Sequence, residues 1–219
     1  MIRTTLILTS AAALALAVSA CGLRIENDGP HTVQTRTVGS FHRVDLRGST
    51  NVVVTRGENA TLTVSGGRNR VRDVVTRVQS GTLVVEDRNS DATLHLGGDG
   101  PIVTVSTPSL VGARLDGSGD LSMAGLAGGP LQIRVDGSGD VDGHGRLDGL
   151  DAAVDGSGDL DLGDVVAQSA KVNLSGSGDA DVHAVRSLSA VVSGSGDVNY
   201  AGNPRVTRDV SGSGDVSQR

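Results

Sequence analysis

The 219-residue sequence predicts an all-β protein, a right-handed parallel β-helix (a β-solenoid) with about 18–20 residues per coil. Three observations predict it. The tetrapeptide Gly-Ser-Gly-Asp occurs six times, opening at Gly117, Gly137, Gly156, Gly176, Gly194 and Gly212, with spacings of 20, 19, 20, 18 and 18 residues. An apolar residue stands two positions before each first glycine (Leu115, Val135, Val154, Leu174, Val192, Val210), and another follows each aspartate (Leu121, Val141, Leu160, Ala180, Val198, Val216). Phe41 and Tyr200 are the whole aromatic set, so the interior must be built from Val, Leu and Ala, which suit closely stacked strands.

Each repeat therefore reads as one coil in which a glycine bend joins two short strands, with an inward residue on either side of the bend. Glycine belongs there because a coil this short turns several times and needs backbone conformations without a Cβ clash. Stacked about 4.8 Å apart, six coils make a rod segment roughly 25–30 Å long. Low-complexity disorder would account for the Gly and Asp content. It would not account for apolar residues held in register around every bend.

From the N-terminus, Arg3 followed by the apolar run Leu6–Val18 reads as a signal peptide, too short and too interrupted to span a bilayer. Val18-Ser19-Ala20-Cys21 resembles the bacterial lipobox, which implies cleavage before Cys21 and lipid on that residue. Cys21 is the single cysteine, so no internal disulfide competes for it. The expected organisation is a lipoprotein signal peptide over 1–20, a lipid-anchored tether over 21–39 and a solenoid over 40–219. Gly22, standing where an inner-membrane retention signal would place aspartate, points to the outer membrane in a Gram-negative cell, on its periplasmic or surface face.

Within the N-terminal half, residues 44–54 (Val-Asp-Leu-Arg-Gly-Ser-Thr-Asn-Val-Val-Val) look like a diverged copy of the repeat. Further strands are expected at 61–64, 82–86, 93–96 and 102–106, each short, rich in β-branched residues and bounded by Gly, Asn or Asp.

Four passages carry a family resemblance: Phe41-His42-Arg43-Val44 leading to the Gly48-Ser49 bend; Val103 to Leu110 before the first tetrapeptide; the tetrapeptides themselves; and Tyr200-Ala201-Gly202-Asn203-Pro204 before the last. Together they resemble the family called the putative auto-transporter adhesin head GIN domain, from about Phe41 to Val216. The resemblance implies a β-solenoid of bacterial envelope proteins, often behind a signal peptide or lipobox. No catalytic residue carries over from it.

Without the leader, which holds only Arg3, 18 basic side chains stand against 25 acidic ones. With no basic stripe and no stacking aromatics, nucleic acid is not an expected partner. Asp120, Asp140, Asp159, Asp179, Asp197 and Asp215 occupy equivalent repeat positions and would form a column of like charges. They are candidate calcium ligands, weighed against a structural role in which Asp accepts backbone N–H bonds at the bend. The calcium β-roll, moreover, repeats every nine residues, half the period seen here.

The motif serines (Ser118, Ser138, Ser157, Ser177, Ser195, Ser213) sit between glycines, but six equivalent serines without a partner histidine argue for bend geometry and not for a nucleophile. His31, His42, His95, His144 and His183 show no metal-ligand spacing. No catalytic or cofactor-binding residue is assigned. The leading expectation is a non-enzymatic, lipid-anchored module of the cell envelope with a membrane contact through Cys21 and a protein or glycan partner. The alternatives are a polysaccharide-active β-helix enzyme and a calcium-stabilised rod. Only Val216–Arg219 follow the last tetrapeptide, so the terminal coil is expected to be open and available for a homodimer through the solenoid end.

Overall fold

A computed structural model describes residues 24–88, 93–96 and 100–219; the leader and Cys21 lie outside the described residues. The fold is a β-solenoid, with about 70% of residues in strands and 3% in helix. Strands β1 (Arg24–Asn27) and β2 (His31–Thr35) precede β3 (Arg43–Gly48) and β4 (Asn51–Arg56), which flank the first bend. There follow β5 (Thr61–Gly67), helix α1 (Arg68–Asp73), β6 (Val74–Gln79), β7 (Thr82–Asp87), β8 (Thr93–Leu96) and β9 (Ile102–Thr107). The regular coils comprise β10 (Gly112–Gly117), β11 (Leu121–Ala127), β12 (Pro130–Gly137), β13 (Val141–Gly156), β14 (Leu160–Gly176), β15 (Ala180–Gly194), β16 (Val198–Ala201), β17 (Arg205–Gly212) and β18 (Val216–Gln218).

Two faces result, joined at the glycine bend. The first face runs β6, β7, β3, β10, β12, then the C-terminal halves of β13, β14 and β15, then β17. The second runs β2, β5, β9, β4, β11, then the N-terminal halves of β13, β14 and β15, then β16 and β18. The long strands β13, β14 and β15 belong to both faces because they run on through the far corner, with local register shifts in their ladders. Coil-to-coil pairing is parallel, and among the described residues antiparallel pairs occur only at the N-terminal end, in β2–β5, β5–β9 and β6–β7.

The core is a set of inward columns, as the apolar alternation requires. On the first face Leu46, Leu115, Val135, Val154, Leu174 and Val192 stack in register and are all buried. On the second, Val52, Leu121, Val141, Leu160, Ala180, Val198 and Val216 do the same. In register from coil to coil, these side chains fill the narrow interior, with Phe41 the buried aromatic of the core and Tyr200 packed against it.

The expected strands at 61–64, 82–86, 93–96 and 102–106 are present as β5, β7, β8 and β9. Residues 44–54 do form a coil of the same kind, but chain order and stacking order part company there. β3 and β4 stack between β7–β9 on one side and β10–β11 on the other, so a later segment lies outside an earlier one. Parts of the segment read as a tether are strands: β1 pairs with β8, and β2 is added antiparallel to β5. The backbone ladder, which is blind to side-chain pattern, recruits β2. Helix α1 was not expected. Six residues are too few to show a helical period, and the helix is held by burial of Val71 and by Arg36, whose guanidinium donates to the carbonyls of Val71 (2.9 Å) and Val74 (2.7 Å). Burial, and then the nearby Arg88, lower the Arg36 pKa from its ordinary value.

Candidate interaction faces of the solenoid

The bend is built from backbone outward. The first glycines of the motif take φ between 128° and 144°, and each second glycine is packed against the preceding coil. A Cβ on Gly158 would overlap the carbonyl oxygen of Gly139. That close approach lets the serine N–H of one coil donate to the first-glycine carbonyl of the coil before, as from Ser138 to Gly117 (3.0 Å) and from Ser195 to Gly176 (2.8 Å). The serine side chains themselves point to solvent.

The aspartates form an unbroken ladder. Asn51 Oδ1 accepts the Asp120 N–H (3.0 Å), and Asp120, Asp140, Asp159, Asp179 and Asp197 each accept the N–H of the next aspartate, at 2.8–3.2 Å. Asp215 ends the series at the last coil. At the opposite end Asp87 accepts from the Ser49 N–H (2.8 Å), the Ser49 hydroxyl and the Thr50 hydroxyl. One oxygen of five carboxylates is thus committed to the backbone, while the other side of the column is open to water, which relieves the like-charge repulsion. Two residues further on, Asp142, Asp161 and Asp181 form a second acidic column, in which Asp142 accepts from Ser122 and Asp181 pairs with Arg219. Among the described residues no group of three or more His, Cys, Asp or Glu side chains converges on a common point.

The first face carries charge of both signs in columns. Three residues before the bends stand Asp45, Arg114 and Arg134; one before stand Arg47, Asp116, Asp136 and Asp155. Arg114 and Arg134 share the carboxylate of Asp136, at 2.7 and 2.8 Å, and Arg47 pairs with Asp45 at 2.6 Å. Arg77 of β6 pairs with Glu86 of β7, and this hydrogen bond holds the Glu86 carboxyl below its ordinary pKa. In β10 and β12 the acids line the bend-side edge and the guanidinium groups stand further in, whereas in β3 the order is reversed, with Arg47 at the edge and Asp45 further in.

Beyond the arginines, along the far corner, an open groove of about 590 Å³ runs across the coils parallel to the solenoid axis. Leu131, Leu150, Ala170 and Gly149 floor it, and Arg43, Gln132, Asp151 and Lys171 line its wall. A second depression of about 290 Å³ adjoins it at Arg43 and Gln132 and reaches Arg114 and Arg134. Gly112 stands between Arg43 and Gln132 in the ladder, and a Cβ there would lie 3.3 Å from Arg43 Cγ. Among the described residues the Arg43 guanidinium has one hydrogen-bond partner, His42 Nε2 (3.0 Å). These groove residues were not singled out in the sequence, although the signal was present. Arg43, Gln132, Asp151 and Lys171 all lie five positions before a bend glycine.

A family model described as "Putative auto-transporter adhesin, head GIN domain" matches residues 40–204. The chain belongs to this family. The match stops before β17, within the last coil. A crystal structure of a putative adhesin from Bacteroides fragilis is 22% identical with a TM-score of 0.71, covering 89% of this chain and 100% of that one. A putative lipid binding protein from Parabacteroides distasonis is 20% identical with a TM-score of 0.57 (90% and 100% covered). A putative adhesin from the same species is 21% identical with a TM-score of 0.55 (89% and 100% covered). At such identities the likeness to these structures is one of fold. No curated protein matches the chain.

Proposed function

We propose that the mature chain is a non-enzymatic binding module of the bacterial cell envelope, anchored by lipid on Cys21, that holds an envelope protein or glycan on its first face. The axial groove carries this reading. It is long, open and lined by charged and amide side chains on rigid strands, a geometry suited to holding an extended partner. Supporting it, the GIN domain and its structural neighbours bear names of adhesins and binding proteins. The bend serines serve the ladder through their backbone N–H groups, and the repeated aspartates do so through their carboxylates. The anchor reading is tested by expressing the full chain and Cys21→Ser in a Gram-negative host. The unchanged chain should take up radiolabelled palmitate and fractionate with the outer membrane. The variant should take up no label and appear in the soluble envelope fraction; equal labelling of both would overturn the anchor.

A further inference from the structure

We propose that the groove of the first face binds an unbranched acidic glycan lying along the solenoid axis. The proposal rests on the binding-module reading and names the class of partner. Charge placement is the first argument. The chain is acidic overall, yet Arg43, Arg114, Arg134 and Lys171 all line the groove and its adjoining depression, against Asp45 and Asp151. Asp45 is buried and paired with Arg47, which leaves Asp151 as the acid facing a ligand there. Arg114 and Arg134 share the Asp136 carboxylate, with Asp116 3.8 Å from Arg114, and Arg43 has no carboxylate partner among the described residues, so the Arg43 guanidinium remains for an anionic group.

Shape is the second argument. From Arg43 on β3 to Ser187 on β15 the groove crosses six strands, about 24 Å at the usual strand spacing. Only a chain-like ligand fills such a length. Its floor is small and aliphatic and its walls offer Gln132, Ser169 and Ser187, so hydroxyl groups find hydrogen-bond partners where no aromatic platform exists for stacking. The third argument is exclusion. The aspartate ladder at the bend and the acidic column of the second face repel a polyanion from those two surfaces of the coils, which favours the first face.

The test uses the mature chain from residue 22, which contains every described residue, titrated calorimetrically with oligogalacturonate. Saturable binding that weakens as salt rises is expected. Arg43→Ala with Lys171→Ala should weaken it about ten- to a hundredfold, the loss of charge-assisted hydrogen bonds. Arg68→Ala with Arg72→Ala, an equal charge change at two exposed positions of α1, should leave affinity unchanged, and thermal melts should show all variants folded. Absence of binding, equal binding of the neutral methyl ester or of polyglutamate, or indifference to the double variant would each overturn the acidic-glycan assignment. If oligogalacturonate is ignored while a purified neutral envelope glycan binds in the groove, only the ligand class falls. If the double variant binds every envelope glycan tested as the unchanged chain does, the groove itself is not the binding site.

Discussion

At the scale of single residues, the two glycines of each motif and its aspartate do different work. Gly156 holds φ at +144°, and Gly158 lies where any Cβ would meet the preceding coil. Gly158→Ala must move backbone that is hydrogen-bonded on both sides, so a loss of about 2–4 kcal/mol is expected in urea denaturation. Ser157→Ala, at an exposed side chain between them, should change stability by no more than about 0.5 kcal/mol. Asn51 already stands at the head of the aspartate ladder, which shows that an amide oxygen can serve. Asp159→Asn should therefore leave stability unchanged or raise it by relieving repulsion, whereas Asp159→Ala should cost about 1 kcal/mol by orphaning the Asp179 N–H. Equal losses for both variants would assign the ladder to charge instead of to hydrogen bonding. Glu86 adds a pH dependence. Its carboxyl is held down by Arg77, so the contribution is present above the ordinary carboxylate range and is lost as pH falls through the lowered folded value. Glu86→Gln should flatten that part of a plot of urea midpoint against pH.

At the scale of elements, the two ends of the solenoid are finished in different ways. The N-terminal end is closed by antiparallel β2, β5 and β6, by α1 and by the Arg36 hydrogen bonds. The C-terminal coil has no strand beyond β17 and β18 among the described residues, and Val210 is 39% exposed. Pairing between copies through this edge, expected from the sequence, meets one opposing feature. Arg208 follows Ala190 in an inward column and donates to the Val216 carbonyl (3.0 Å), and Gln218 follows Tyr200. A charged group in an inward column discourages the addition of another strand layer. Arg208→Val should accordingly strengthen end-to-end association, seen as a concentration-dependent rise in sedimentation coefficient; a variant that sediments like the unchanged chain would deny Arg208 that part. These end elements were hardly legible beforehand. β2 and α1 are too short to show a period, and only their neighbours make them regular.

At the scale of the whole molecule, one stack of parallel ladders joins the bend, the two faces and the groove, and the coils cooperate only through nearest neighbours. A cut in this stack should be felt locally. Hydrogen exchange in the Gly158→Ala variant is expected to rise most in β13 and β14, whose bends meet there, and least in β5 and β9; uniform loss of protection would indicate one cooperative unit. The sequence by itself determined the coil length, the bend chemistry and the inward columns, because each depends on residues close in the chain and repeats six times. It also carried the diverged coil at residues 44–54. Only the tertiary structure decided that this coil lies inside the later pair β7 and β9, since strand order in a sheet is set by long-range ladder pairing, which leaves no local pattern. The same holds for the groove. Arg43, Gln132 and Lys171 are ordinary surface residues in the chain, and become a single lining when stacking places them side by side.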